Sequence, residues 1–324
     1  MSAENKKILV TGASGFIGRV LCLRLVDHAA VVAATRNKVN FPESLTRLQQ
    51  IEVGDIGPAT NWSSALVNVD VVIHLAARVH VMRDMAADPL DEFRSVNTFG
   101  TEHLARCAAA SGVKRLVYVS SIGVNGSRTG ADERFSETDV PHPHNAYAIS
   151  KWEAEQALAN VARETGLQIV IVRPPLVYGG GAPGNFATLV KAVSRGIPLP
   201  LASVRNLRSL IYVGNLVDAL ITCATHPAAS GQTYLVCDGE DISTAALIQK
   251  LADALGRNSR SFHFPAALLR AGAAVMGRSA QADSLIGSLR VNDAKIRGEL
   301  GWIPPYTLEQ GLRATADWYH QHLD

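Results

Sequence analysis

Tyr147 and Lys151 stand four positions apart in YAISK, a spacing that puts both side chains on one face of a helix. A free phenol, with a pKa of about 10, exchanges protons poorly at neutral pH, and a neighbouring ammonium favours the phenolate. Together they make a general acid/base pair. Upstream, the run RLVYVSS ends in Ser120 and Ser121, and the Ser121 hydroxyl can hydrogen-bond the oxygen whose proton is being moved. On its own a YxxxK spacing recurs by chance on amphipathic helices. Its weight here comes from what precedes it in the chain.

What precedes it is Gly12-Ala13-Ser14-Gly15-Phe16-Ile17-Gly18, directly after the aliphatic run KILVT and opening an amphipathic stretch. Spaced glycines allow a tight turn and close approach of the backbone to a pyrophosphate, which then meets the amides at the start of a helix. Gly18 allows that helix to pack tightly on the sheet. The loop therefore predicts a dinucleotide site. NAD sites usually place an acidic residue at the end of the second strand, against the ribose 2′-hydroxyl. Here that strand runs into Thr35-Arg36-Asn37-Lys38, with no acid between Asp27 and Glu43. A guanidinium at Arg36 suits the 2′-phosphate of NADP, so NADP(H) is expected, with NAD(H) as the alternative.

Such a site needs a rigid frame. Nearly continuous aliphatic runs at 7–11, 31–35, 50–53, 70–74, 115–120 and 168–172 predict buried parallel strands, with helices between them at 16–27, 88–111 and 145–165. The fold class is α/β: a Rossmann-type doubly wound parallel sheet with a smaller α-rich C-terminal lobe. Glycines and prolines between Pro174 and Pro200 bracket a helix at 185–195 and mark the change of domain. Residues 1–173 form the dinucleotide domain, with 207–226 returning to it as a strand (208–213) and a helix (215–226). Residues 174–324 form the lobe, with further helices near 243–256, 265–276 and 307–322.

Composition narrows the partners. The 324 residues are 47% apolar, and 31 Lys+Arg against 29 Asp+Glu leave a formal charge of +2, without a run of like charge. That gives no footprint for nucleic acid or for an anionic membrane. The longest apolar stretch, Pro265 to Gly277, is broken by Arg270 and falls short of a membrane span of about 20 residues. Cys22, Cys107, Cys223 and Cys237 are scattered, with neither disulfide nor zinc-ligand spacing, so no metal is expected and a cytoplasmic location fits.

Taken together, TGASGFIG, GDI at 54–56, HLAA at 74–77, SVNTFGT, VSSIGVNG, YAISK, RPPLVYG, RSLIYVGNLVDA and LGWIPPYTLEQGL resemble the extended short-chain dehydrogenase/reductases, in their nucleotide-sugar epimerase/dehydratase branch. The resemblance spans almost the whole chain. It implies that Asp55 and Ile56 flank the adenine, and that Leu75, Ala76 and Ala77 run beside the pyrophosphate and ribose. By the same likeness Lys151 also holds the nicotinamide ribose, Pro174 and Val177 lie near the nicotinamide, and Asn97 bears on active-site geometry. Asn185 and Arg208 would meet the diphosphate of a UDP-sugar, and the helices 88–111 and 145–165 would pair in a homodimer.

Departures from the family patterns narrow the reaction. Sugar 4,6-dehydratases carry an Asp-Glu pair where this chain has Ile122-Gly123, neither of which moves a proton. Enzymes that epimerise C3 and C5 use a Cys and a downstream His that have no counterpart here. His142 and His144, in PHPHNAY, read as a solvated loop. Hydride exchange at C4 of a UDP-hexose remains, as a 4-ketosugar reductase or a UDP-sugar 4-epimerase. Arg36 ranks reduction first, since net reduction draws on NADPH. A small-ketone reductase and a non-catalytic NADP-binding sensor are the alternatives outside this pair.

Overall fold

The computed structural model describes residues 6–42, 45–79, 88–130, 132–275, 283 and 285–322. The aliphatic runs become strands β1 (Lys7–Thr11), β2 (Ala30–Thr35), β3 (Leu48–Glu52), β4 (Val71–His74), β5 (Arg115–Val119) and β6 (Gln168–Arg173). Next come β7 (Leu176–Tyr178), β8 (Arg208–Tyr212), β9 (Thr233–Leu235) and β10 (Asp241–Ile242). Seven of the ten form one parallel sheet in the order β3-β2-β1-β4-β5-β6-β9. The order reverses between β1 and β4, and in a doubly wound sheet the ligand crevice opens outside the carboxyl ends at that reversal.

Because both faces are covered, alternate residues of each strand feed two cores. Ile8, Val10, Val31, Ile73, Val117 and Val172 face helices α1 (Phe16–Leu25) and, later in the chain, Val213–Thr225. Leu9, Val32, Val72, Leu116, Tyr118 and Ile169 form the opposite core with Trp62 and with helices further along. The expected helix 88–111 starts where the Asp88 carboxylate accepts the Leu90 amide at 2.9 Å. It then divides into α2 (Pro89–Phe93), a π-helical segment at Arg94–Phe99, and α3 (Gly100–Ala110). After β5, α4 (Ala146–Thr165) starts at the Asn145 cap, packs on α3 and ends at Gly166 with φ of 77°.

The C-terminal lobe has a core of its own. Helices α5 (Gly184–Ser194), α6 (Val213–Thr225), α7 (Thr244–Ala254), α8 (Ala266–Val275), α9 (Ala294–Leu300) and α10 (Leu308–His322) follow in order. Phe186, Leu189, Leu210, Ile248, Leu251 and Leu312 build the lobe core between α5, α7, α10 and a small sheet. One expectation needs correction. The strand at 208–213 does not join the large sheet: β8 pairs with β7 and β10 in the small sheet β10-β8-β7. The seventh position goes instead to β9, a three-residue strand too short to stand out as a pattern. Helix α6 does pack against α1 and the large sheet, so the crossing lies between β8 and α6.

The first turn of α1 lies against the glycine loop with no space to spare. A methyl group on Gly18 would overlap the Gly12 carbonyl oxygen and stand 2.8 Å from Ala13 Cα. Gly18→Ala is therefore expected to lower unfolding stability by about 1–3 kcal/mol through overpacking. Gly57→Ala, where an added methyl meets nothing within 4 Å, serves as the control in the same urea titration.

Candidate active site

At the end of β1 the chain turns through Gly12, whose φ of 65° suits glycine, and a Cβ there would lie 2.9 Å from the Ala76 amide nitrogen. That close approach brings the glycine loop against Leu75, Ala76 and Ala77 at the end of β4. The Ala76 amide donates to Thr11 Oγ1 at 3.2 Å, and Thr11 Oγ1 lies 2.6 Å from His74 Nδ1. On the other side of the ring His74 Nε2 meets Thr101 Oγ1 at 2.9 Å. The Gly15 amide donates to the Gly12 carbonyl at 2.9 Å, and no side chain caps the start of α1. An uncapped helix N-terminus above a glycine turn, flanked by two strand ends, fits the pyrophosphate of a dinucleotide. Ser14, Phe16 and Ile17 complete the loop, and Phe16 also leans into the lobe core.

Further out, the structure joins two residues that the sequence treats separately. Arg36 Nε lies 2.8 Å from Asp55 Oδ1, with the side chains 72% and 86% exposed. An ion pair this wet is worth at most about 1 kcal/mol. The guanidinium therefore stands ready to exchange partners. Ile56 packs beside Gly100, where an added Cβ would come within 2.9 Å of the isoleucine methyl.

The candidate acid/base residues converge from the segment after β5 and from α4. Ser121 follows β5 and is fixed by the peptides around it: the Ser120 amide donates to Val172 at 2.8 Å and the Ile122 amide to Pro174 at 3.0 Å. Ser121 Oγ accepts the Gly123 amide at 3.0 Å, which leaves its own proton to donate. A Cβ built on Gly123 would lie 3.3 Å from Ser121 Oγ and 3.4 Å from Ala148 Cβ, so the serine sits against the first turn of α4. Lys151 Nζ lies 6.0 Å from the centre of the Tyr147 ring and 4.4 Å from that of Tyr118.

The electrostatics differ from the sequence expectation of a phenol eased toward ionisation. Burial pushes Tyr147 up to about 12. Burial also pulls Lys151 down to about 7, against the pull of the Glu155 carboxylate. Desolvation outweighs the ammonium's effect on the phenol. In the protein alone Tyr147 is thus firmly protonated.

Asn97 lies in the π-helical segment, 1% exposed. Its side chain accepts the Arg78 amide at 2.8 Å and donates to the Arg78 carbonyl and to Ser150 Oγ, each at 3.0 Å. Ser150 in turn donates to the Tyr147 carbonyl at 2.8 Å. Asn97 thereby ties the end of β4 to the turn of α4 that carries Tyr147 and Lys151. Pro174 is buried and Val177 half-buried beyond β6. Asn185 is exposed in the first turn of α5. Arg208, half-buried at the start of β8, donates to the Gly287 carbonyl at 3.0 Å. Three residues beside the site are not singled out in the sequence reading: Tyr118, Glu155 and Arg173. The spacing Tyr147, Lys151, Glu155, each four apart, is the signal that could have found the second.

A family model described as the NAD dependent epimerase/dehydratase family matches residues 8–237. The chain belongs to this family. A UDP-glucose 4-epimerase of Vibrio cholerae is 42% identical over 98% of this chain and 96% of its own. An N-acetyl-alpha-D-glucosaminyl-diphospho-ditrans,octacis-undecaprenol 4-epimerase of Escherichia coli O157:H7 is 27% identical over 98% of this chain and 96% of its own. Among solved structures, MoeE5 in complex with UDP-glucuronic acid and NAD has a TM-score of 0.79 at 26% identity, covering 97% of this chain and 99% of that one. The extended short-chain dehydrogenase/reductase fold and the NAD-dependent epimerase/dehydratase class of enzyme follow from this membership. Among the described residues no helix is long and apolar enough to cross a membrane.

Burial of His74 makes a prediction for this family member. In the unfolded chain its ring titrates at about 6.5; in the fold burial, aided by the Lys151 charge, lowers it to about 3. As the pH falls below the unfolded value the unfolded state takes up a proton that the folded state refuses. The stabilisation is therefore present at neutral pH and is lost as the pH drops toward the folded value. His74→Gln should melt lower than the parent at pH 7 and show a shallower fall in Tm on acidification, as read by thermal denaturation across the acid range.

Proposed function

We propose that this protein is an NADPH-dependent reductase of the 4-keto group of a UDP-linked hexose. The observation that carries the reading is Arg36, standing where an acid would accept a ribose hydroxyl and paired with Asp55 through a solvent-exposed bridge. When bound, the reduced nicotinamide supplies the hydride. Gly12, Ser14, Gly15, Phe16, Ile17 and Gly18 would hold the pyrophosphate, with Leu75 to Ala77 beside it, Asp55 and Ile56 at the adenine, and Pro174 and Val177 toward the nicotinamide. Ser121 donates a hydrogen bond from its hydroxyl to the carbonyl oxygen and orients it, keeping its own proton. Tyr147, kept protonated by burial, gives its proton to that oxygen as C4 is reduced to the carbinol. Lys151 holds ribose hydroxyls and supports the charge left on the phenol.

In the same reading the lobe from residue 174 receives the sugar nucleotide, with Asn185 and Arg208 toward its diphosphate. Phe99, exposed at the end of the π-helical segment that runs into α3, supports pairing of two chains through this region.

The 42% identical relative favours a second reading, a UDP-sugar 4-epimerase that keeps its cofactor oxidised between turnovers. One experiment separates the two. The purified protein is incubated with UDP-4-ketohexoses plus NADPH, and in parallel with UDP-hexoses alone. Reduction predicts loss of NADPH absorbance in step with product. C4 inversion without net consumption of cofactor overturns it in favour of epimerisation. Two variants test the parts. Tyr147→Phe should leave NADPH binding intact and slow turnover by about 10²–10⁴-fold. Arg36→Ala should weaken NADPH binding, read by fluorescence titration, far more than NADH binding; equal weakening would remove the argument for NADPH.

A further inference from the structure

Glu155 extends the Tyr147–Lys151 stripe by one more turn of α4 and is 3% exposed. A carboxylate so far from water needs every lone pair satisfied. The Ser120 hydroxyl donates to Oε1 at 2.5 Å, Arg173 Nε donates to the same oxygen at 2.9 Å, and Arg173 Nη2 donates to Oε2 at 2.5 Å. Arg173, 4% exposed, spends Nη1 on Asn125 Oδ1 at 2.9 Å, and Asn125 donates to the Ser136 carbonyl at 2.7 Å. The carboxylate is thus clamped by the residue that follows β5 and by Arg173 of β6, which is itself fixed by Asn125 in the loop after Ser121.

Lys151, 2% exposed, lies one turn before Glu155 on the same buried face of α4. The groups around the ammonium come from four elements. His74 on β4 is neutral, held off its proton by burial. Tyr118 on β5 offers its ring face at 4.4 Å. On α4 itself stand Tyr147 and Glu155. Arg173 on β6 reaches the set through its bond to Glu155. Within this set Glu155 supplies the negative charge, and it favours the ammonium against the burial that favours the amine.

We propose that Glu155 is a positioning residue: locked by Arg173 and Ser120, it keeps Lys151 charged over the Tyr118 ring and ties the same carboxylate to the peptide that carries Ser121. One side chain thereby serves both halves of the acid/base site. The inference rests on the reading of Lys151 as the residue that holds cofactor hydroxyls.

The test is the pH dependence of NADPH binding to the full-length protein, followed by fluorescence, which does not require the sugar to be known. The parent should bind more weakly as the pH rises through the neutral range and Lys151 loses its proton. Glu155→Gln should move that midpoint down by about one pH unit or more. Because this variant leaves Arg173 buried without its partner and can fail to fold, the double variant Glu155→Gln/Arg173→Met, which removes both charges, carries the same expectation. Lys151→Met should abolish the pH step. Folded variants with an unshifted midpoint, or a parent whose binding shows no step that depends on Lys151, overturn the role given to Glu155. A parent that binds neither NADPH nor NADH at any pH instead sinks the dinucleotide reading itself.

Discussion

An ammonium group at 2% exposure cannot rely on water, so the fold has to supply what hydration would have given Lys151. It does so with an aromatic face from β5 and a carboxylate one turn along α4. Neither is free to move. Tyr118 is a core residue stacked on His74, with ring centres 5.7 Å apart, and His74 is gripped between Thr11 and Thr101. Glu155 is held by an arginine from β6 and by the serine that directly follows β5. Helix α4 is therefore registered against the sheet by buried polar contacts as well as by apolar packing. Such contacts are costly to leave half made, which favours one arrangement over its neighbours.

The same economy appears on the cofactor side. Thr11 accepts the Ala76 amide and meets His74 with one oxygen, joining β1 to β4 at the point where the strand order reverses. The crevice at that reversal is bounded by the glycine loop, by the strand end Leu75 to Ala77, and by the start of α1. Asn97 extends the bracing to α4 through Ser150, and the π-helical turn that contains it brings its amide onto two backbone groups of Arg78. From Gly12 to Lys151 the site is spanned by hydrogen bonds between residues far apart in the chain.

Where the sequence reading departs from the structure, the reason is burial or pairing over distance. The four-residue spacing of Tyr147 and Lys151 places them on one face, and they are there. Their charge balance is not set by that spacing: burial acts on both groups and outweighs their mutual effect. Arg36 and Asp55 stand 19 positions apart with nothing local to link them, and they meet because β2 and β3 are adjacent and parallel. The run at 208–213 has the aliphatic character of a sheet strand, yet β8 serves the small sheet, and the three residues of β9 take the seventh place. A strand's composition reports that it is buried, not which edge it joins.

The sequence by itself determined the doubly wound sheet, the tight glycine turn after β1 and the shared helix face of Tyr147 and Lys151. These depend on local periodicity, on glycines that a turn and a close approach demand, and on spacing within single elements. Tertiary structure alone decided the partner of Glu155, the neutral state of His74, the aromatic seat of Lys151 and the pairing of Arg36 with Asp55. Each of these is a contact between strands, or between a strand and a helix, that chain folding brings together, and its strength is set by how completely water is excluded. Neither property is carried by the order of residues along a single element.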